Sequence, residues 1–202
     1  GSALMRDEDH AAALIAATVA ATSRPVTLKM RLGWDRNSLN APRLARIAED
    51  LGVAMITVHG RTRCQFYKGS ADWRAIRAVV DAVRVPVIAN GDIVDGASAS
   101  LALAQSGAAG IMVGRAAIGR PWLPAQIQSY LAREIWPAPP TGAARFDIFR
   151  EWYLDTLALY DEGHGVRVAR KHLAGFIDYF CNATAAAHWR GHICRLQEPH
   201  AV

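Results

Sequence analysis

Four short, near-continuous apolar runs separated by amphipathic stretches constrain this chain more than any other feature. They occupy residues 25–30 (PVTLKM), 55–59 (MITVH), 86–90 (PVIAN) and 111–113 (IMV). Runs of this kind are the pattern of parallel strands buried on both faces. Between them, Leu44, Ile47, Ala48 and Leu51 hold one helical face, with Asn40 at the N-cap position, Pro42 in the first turn and Gly52 past the end. Ile76, Val79, Val80 and Val83 repeat that spacing after Asp72, and Leu101 and Ala104 do so more weakly before Gly107. With a helix over about 7–21 ahead of the first run, the order predicts an α/β fold with a parallel sheet.

Four strands, within residues 1–135, make half of a TIM (β/α)8 barrel; with open edges such a half pairs with missing material, dimerises or is a fragment, and a fragment that holds the C-terminal half is the expectation. Residues 136–144 (WPAPPTGAA) form a Pro-rich linker. Beyond it, Phe146, Phe149, Trp152, Tyr153, Leu157 and Tyr160 recur at three- and four-residue steps, which predicts a helix from near Arg145. Further helices over 166–180 and 183–194 complete a small all-helical domain spanning 145–202.

Composition narrows the function classes. The chain is 51% hydrophobic and 20% charged, with no apolar run approaching the ~20 residues that span a bilayer and no basic-then-apolar leader, so a cytoplasmic location without a membrane partner is expected. Cys64, Cys181 and Cys194 are odd in number and widely spaced, which suits reduced thiols and no metal site. The net charge of +5 suits an anionic partner, yet from Arg145 onward Lys+Arg and Asp+Glu number seven each. The surplus lies in the first 144 residues, and bulk charge does not mark the tail as a nucleic-acid module.

The last two strands each close on glycine: Asn90-Gly91-Asp92, then Gly114-Arg115. Consecutive loops of this kind build the phosphate site of a barrel, with backbone N–H groups facing an anion and Arg115 offering a bidentate contact. A phosphorylated ligand, read as a cofactor, is expected. Lys29, His59 and Asn90 fall at strand ends 30 and 31 residues apart, equivalent positions that should converge on one face. A Lys there can stabilise negative charge on a reduced cofactor ring, and a His can donate to a carbonyl or phosphate oxygen. Taken singly, Lys29 reads equally as a snorkelling side chain and His59 as a core histidine; beside the two glycine loops they read as a site.

Five motifs then carry a family resemblance: VTLKMRLGW at 26–34, TVHGRTR at 57–63, YKG at 67–69, IANGDI at 88–93 and MVGRA at 112–116. In this order they resemble the tRNA-dihydrouridine synthases, most nearly the bacterial DusB branch, and VRVARKHL at 166–173 resembles the signature of that family's helical domain. The resemblance implies an FMN-dependent oxidoreductase that saturates the C5–C6 bond of a tRNA uridine with NADPH as reductant, monomeric when intact. It places Lys29 near the flavin N1/O2 edge, His59 on the flavin or its ribityl-phosphate, and Asn90, Gly91, Asp92, Gly114 and Arg115 at the phosphate end. Arg61, Arg63 and Tyr67 would face uracil or RNA phosphates, a solvated loop being an equally fair reading. Arg167, Arg170 and Lys171 share a helix face and would meet tRNA phosphates, while His172 caps, binds RNA or packs. The family's proton-donating cysteine belongs to an N-terminal half absent here, so no catalytic residue is assigned, Cys64 is taken as incidental and the chain alone is expected to be inactive. A phosphate-binding barrel isomerase and a non-catalytic RNA-binding fragment are the alternatives.

Overall fold

A computed structural model describes residues 1–199, apart from the side chain of Glu162. It divides into two compact units, Gly1–Gly114 and Arg115–Val202. The division falls ahead of the Pro-rich segment, which connects two helices of the second unit.

In the first unit, a 3-10 turn at Ser2–Arg6 and helix α1 (Glu8–Ala20) precede alternating strands and helices: β1 (Thr27–Arg31), α2 (Ala41–Asp50), β2 (Met55–His59), α3 (Trp73–Val80), β3 (Val87–Asn90), α4 (Gly96–Ser106) and β4 (Gly110–Met112). The strands form one parallel sheet in the order β1-β2-β3-β4. Consecutive parallel strands joined by helices are the arrangement of successive units in a (β/α) barrel. Side chains alternate across the sheet, so Ile56, Val58 and Ala89 pack in the buried core with Ala45, Ala48, Ile76 and Val79.

Helix starts follow from short polar side chains. Asp72 accepts from the Ala75 N–H at 2.9 Å, and Asp95 with Ser98 makes a capping box. Asn40 occupies the N-cap position of α2 without capping it; its amide donates instead to the Met5 carbonyl and to Glu8 Oε1. Glu8 also pairs with Arg43 at 2.6 Å, so these polar contacts fix α1 to α2. Helix α4 corrects the sequence expectation. Leu101 is 48% exposed, and the buried stripe is Ala99, Ala102 and Ser106, whose small side chains let the helix lie close to its neighbours.

The second unit contains a 3-10 turn at Arg115–Ala117 and helices α5 (Leu123–Arg133), α6 (Gly142–Tyr160), α7 (Glu162–Phe180) and α8 (Ala183–Ile193). Helix α5 was not foreseen, and α6 and α7 begin three and four residues earlier than expected. Asp161 starts α7 by accepting from the His164 N–H at 2.8 Å. Gly165 belongs inside the helix because a Cβ there would lie 2.9 Å from the Leu157 side chain; the missing side chain allows α6 and α7 to approach. Of the aromatic row, Phe149 and Tyr153 are buried and Phe149 packs on Phe176 at 4.0 Å between centroids, whereas Phe146 is 63% exposed.

Because Ile76 is fully buried between α3 and the sheet core, Ile76→Ala should cost about 2–5 kcal/mol of stability. A urea-unfolding midpoint unchanged from wild type would contradict this placement.

Candidate cofactor site at the strand ends

Strand register decides which expected residues meet. Arg31 lies opposite His59, His59 opposite Asn90, and Asn90 opposite Met112, one row across the ends of four strands. Lys29 is paired with Thr57, two residues back from that row. The equal sequence spacing of Lys29, His59 and Asn90 therefore marks a shared face and not a shared row, since residues i and i+2 of a strand point the same way. The true partner of His59 in β1 is Arg31, which sequence reasoning left unassigned; its position two residues beyond Lys29 was the available signal.

Arg31 donates to the carbonyls of Thr62 (2.8 Å) and Phe66 (3.0 Å), and its guanidinium lies 5.7 Å from the Tyr67 ring centroid. It thus holds down the loop that follows β2. Lys29 is exposed, and partial loss of solvent together with the charge of Arg31 lowers its pKa. The Asn90 side chain is buried and donates to the Met112 carbonyl at 2.8 Å, tying β3 to β4.

Arg61 departs most from its expected role. It is only 2% exposed and makes a two-pronged pair with Asp92, Nη1 to Oδ1 at 2.9 Å and Nη2 to Oδ2 at 2.6 Å. It also donates to the carbonyls of Lys68 and Gly69. Asp92 Oδ2 accepts a further bond from the Ala71 N–H at 2.8 Å. The expectation that Arg61 faces uracil or RNA is therefore corrected: the guanidinium is inside the protein because a carboxylate and two carbonyls satisfy it there. The Asp92 side chain likewise faces Arg61. The clue lay in spacing, since Arg61 and Asp92 each follow a row residue, His59 or Asn90, by two positions.

Gly91 is required on two counts. Its φ of +116° is a backbone state that side chains rarely adopt, and a Cβ would stand 2.8 Å from His59 Cδ2. The absent side chain lets the His59 ring lie against the β3 loop. The Gly91 carbonyl accepts from the Trp73 indole N–H at 2.8 Å. Gly114 has open space where a Cβ would stand.

Of the loop residues after β2, Arg63 is half-buried over the Phe66 ring (4.1 Å to the centroid), while Tyr67 is exposed with its ring 6.3 Å from that of His59. Cys64, also on this loop, is an exposed free thiol. In the second unit, Arg115 begins the 3-10 turn at Arg115–Ala117. Arg167 and Lys171 are exposed one turn apart on α7. Arg170 is half-buried, donates to the Leu196 carbonyl at 3.0 Å and leaves its Nε buried with no hydrogen-bond partner among the described residues. His172 packs on Trp152 at 4.9 Å between centroids. Among the described residues, no helix is long and apolar enough to cross a membrane, and no cluster of three or more His, Cys, Asp or Glu could hold a metal.

Burial first, then the charges of Arg31, Lys29 and Arg61, push the His59 pKa down to about 4, against the pull of Asp92. An unfolded chain protonates this ring near its ordinary value of 6.5, so unfolding takes up a proton between those limits. The His59 contribution is therefore fully present above about pH 6.5 and is lost as pH falls toward 4. Urea unfolding at pH 7.5 and pH 5 should show wild type losing more stability than His59→Gln; equal losses would refute the neutral, buried histidine.

Comparison with known proteins identifies the family of the chain. The family model described as dihydrouridine synthase matches residues 1–201. The chain is 53% identical over its whole length to a Rhodobacter capsulatus protein and 52% identical to a Rickettsia conorii protein, both named "Probable tRNA-dihydrouridine synthase". It is 43% identical to the "tRNA-dihydrouridine synthase B" of Xanthomonas axonopodis pv. citri. All of this chain is covered in each case, but only 60–61% of each relative. On these matches across its full length, the chain belongs to the dihydrouridine synthase family.

Proposed function

We propose that this chain is the FMN-holding part of a tRNA-dihydrouridine synthase, an oxidoreductase that reduces the C5–C6 bond of a tRNA uridine with NADPH as reductant. The observation that carries the proposal is the strand register, which sets His59 in a row with Arg31 and above Lys29 at the strand ends. Two cations, a neutral ring and side-chain-free backbone at Gly91 and Gly114 make a donor set that suits an anionic ligand rich in acceptors, as FMN is. On this reading the four-stranded sheet is half of a TIM barrel, and residues 145–202 are the part that meets tRNA.

FMN, when bound, supplies the hydride. The protein's own residues hold and polarise. Lys29 is assigned to the N1/O2 edge, where an ammonium favours negative charge, and His59 to the flavin or its ribityl-phosphate. Asn90, Gly91 and Asp92 shape the phosphate end, the first and last through the contacts that fix their loops. Gly114 and Arg115 are assigned there by their sequence positions. Arg63 and Tyr67 are assigned to the RNA, as are Arg167 and Lys171 on α7, while Arg170 serves that surface by holding the Leu196 carbonyl. The proton donor to uracil is assigned to the length that the relatives have beyond this match, so the 202-residue chain binds flavin without reducing tRNA.

Titrating FMN into the 202-residue chain should give saturable quenching of flavin fluorescence. Lys29→Ala and Arg115→Ala should each weaken binding roughly tenfold, the equivalent of about 1.4 kcal/mol, and Cys64→Ser should leave it unchanged. A chain that is folded by circular dichroism yet binds no FMN, or binds a sugar phosphate in its place, overturns the proposal.

A further inference from the structure

We propose that Arg61, clamped by Asp92, is a positioning residue that fixes His59 as the neutral Nδ1–H tautomer, so that this ring meets the ligand as a hydrogen-bond donor. The inference rests on the FMN proposal only in taking the ligand to lie at His59; the state of the ring follows from the protein alone.

A guanidinium has five N–H donors and no acceptor. Arg61 has five contacts to match them. Nε reaches the Lys68 carbonyl at 3.3 Å, Nη2 reaches Gly69 O and Asp92 Oδ2 at 2.6 Å each, and Nη1 reaches Asp92 Oδ1 at 2.9 Å and His59 Nε2 at 3.3 Å. Arg61 has no donor left for a ligand. At the last of these contacts the arginine can only donate, so Nε2 must present its lone pair, and the proton of a neutral ring must be on Nδ1.

The alternatives are excluded by what surrounds the ring. An Nε2–H would point one N–H at another. An imidazolium would do the same and add a positive charge beside Lys29, Arg31 and Arg61, while Asp92, the one opposing charge acting on the ring, already spends both oxygens on Arg61. Burial favours the neutral form as well. The Cδ2 and Nε2 edge of the ring occupies the space that a Cβ at residue 91 would need, so glycine there is a condition of this ring position. Arg61 in turn is oriented by its fork on Asp92, the geometry in which a carboxylate sets a guanidinium most firmly. The chain of control runs from Asp92 through Arg61 to the protonated nitrogen of His59.

Long-range proton–nitrogen correlation of the 15N-histidine-labelled chain, without ligand and at pH 7, reads the tautomer directly; His59→Gln identifies the signal. The expected result is a protonated Nδ1 and an unprotonated Nε2 at His59. A proton on Nε2, or two averaged nitrogens, overturns the proposal whatever happens to FMN. In Arg61→Gln and Asp92→Asn, checked for folding by circular dichroism, the Nδ1–H pattern should give way to averaging or to Nε2–H. Its persistence in folded Arg61→Gln would show that Arg61 does not set it, and its persistence in folded Asp92→Asn would show that the Asp92 clamp does not. Should both variants fail to fold, the wild-type spectrum still decides. Loss of FMN binding with an intact Nδ1–H pattern would instead count against the FMN proposal alone.

Discussion

The Arg61–Asp92 pair is the interaction on which the rest of the site depends. A guanidinium that is 2% exposed would be costly to hold without partners, and here every donor finds one. The acceptors come from three places in the chain: the end of β2, the loop that follows it, and the turn after β3. One side chain therefore fastens the two loops together at the mouth of the sheet. The turn after β3 takes an uncommon backbone path, with φ positive at both Gly91 and Asp92. The Asp92 carboxylate that this turn presents is what Arg61 and the Ala71 N–H bind.

Charges at the strand ends thus divide into two kinds of work. Arg61, Asp92 and Asn90 are occupied with the protein itself and give the site its shape. Lys29, on the same face but two residues back from the row, is exposed, and Arg31 stands between the two roles by pinning backbone carbonyls with one nitrogen. The same division recurs on α7, where Arg170 is turned to the Leu196 carbonyl while Arg167 and Lys171 remain in solvent. A stripe of three cations in the sequence is two cations and a brace in the fold.

The strands were legible because their apolar runs are continuous, and α2 and α3 because their large apolar residues keep a helical period. Helix α4 was legible in extent but not in its buried face: Ala99 and Ala102 carry little hydrophobic signal beside Leu101, and packing favours the small side chains. Helix α5 went unassigned; its Pro124 lies in the first turn, a position compatible with a helix start. The early start of α7 was obscured by Gly163 and Gly165. At the site, residue types and positions marked one face of the strand ends, but not which charges are consumed internally. Arg61 reads as a loop cation until Asp92, 31 residues away, is placed against it.

As proposed, these strand ends hold a flavin by its phosphate as well as its ring. Calorimetric titration of the 202-residue chain with FMN and, separately, with riboflavin tests it most directly, since the two ligands differ only in that phosphate. FMN should bind at least tenfold more tightly. Equal affinities, or riboflavin binding alone, would contradict it.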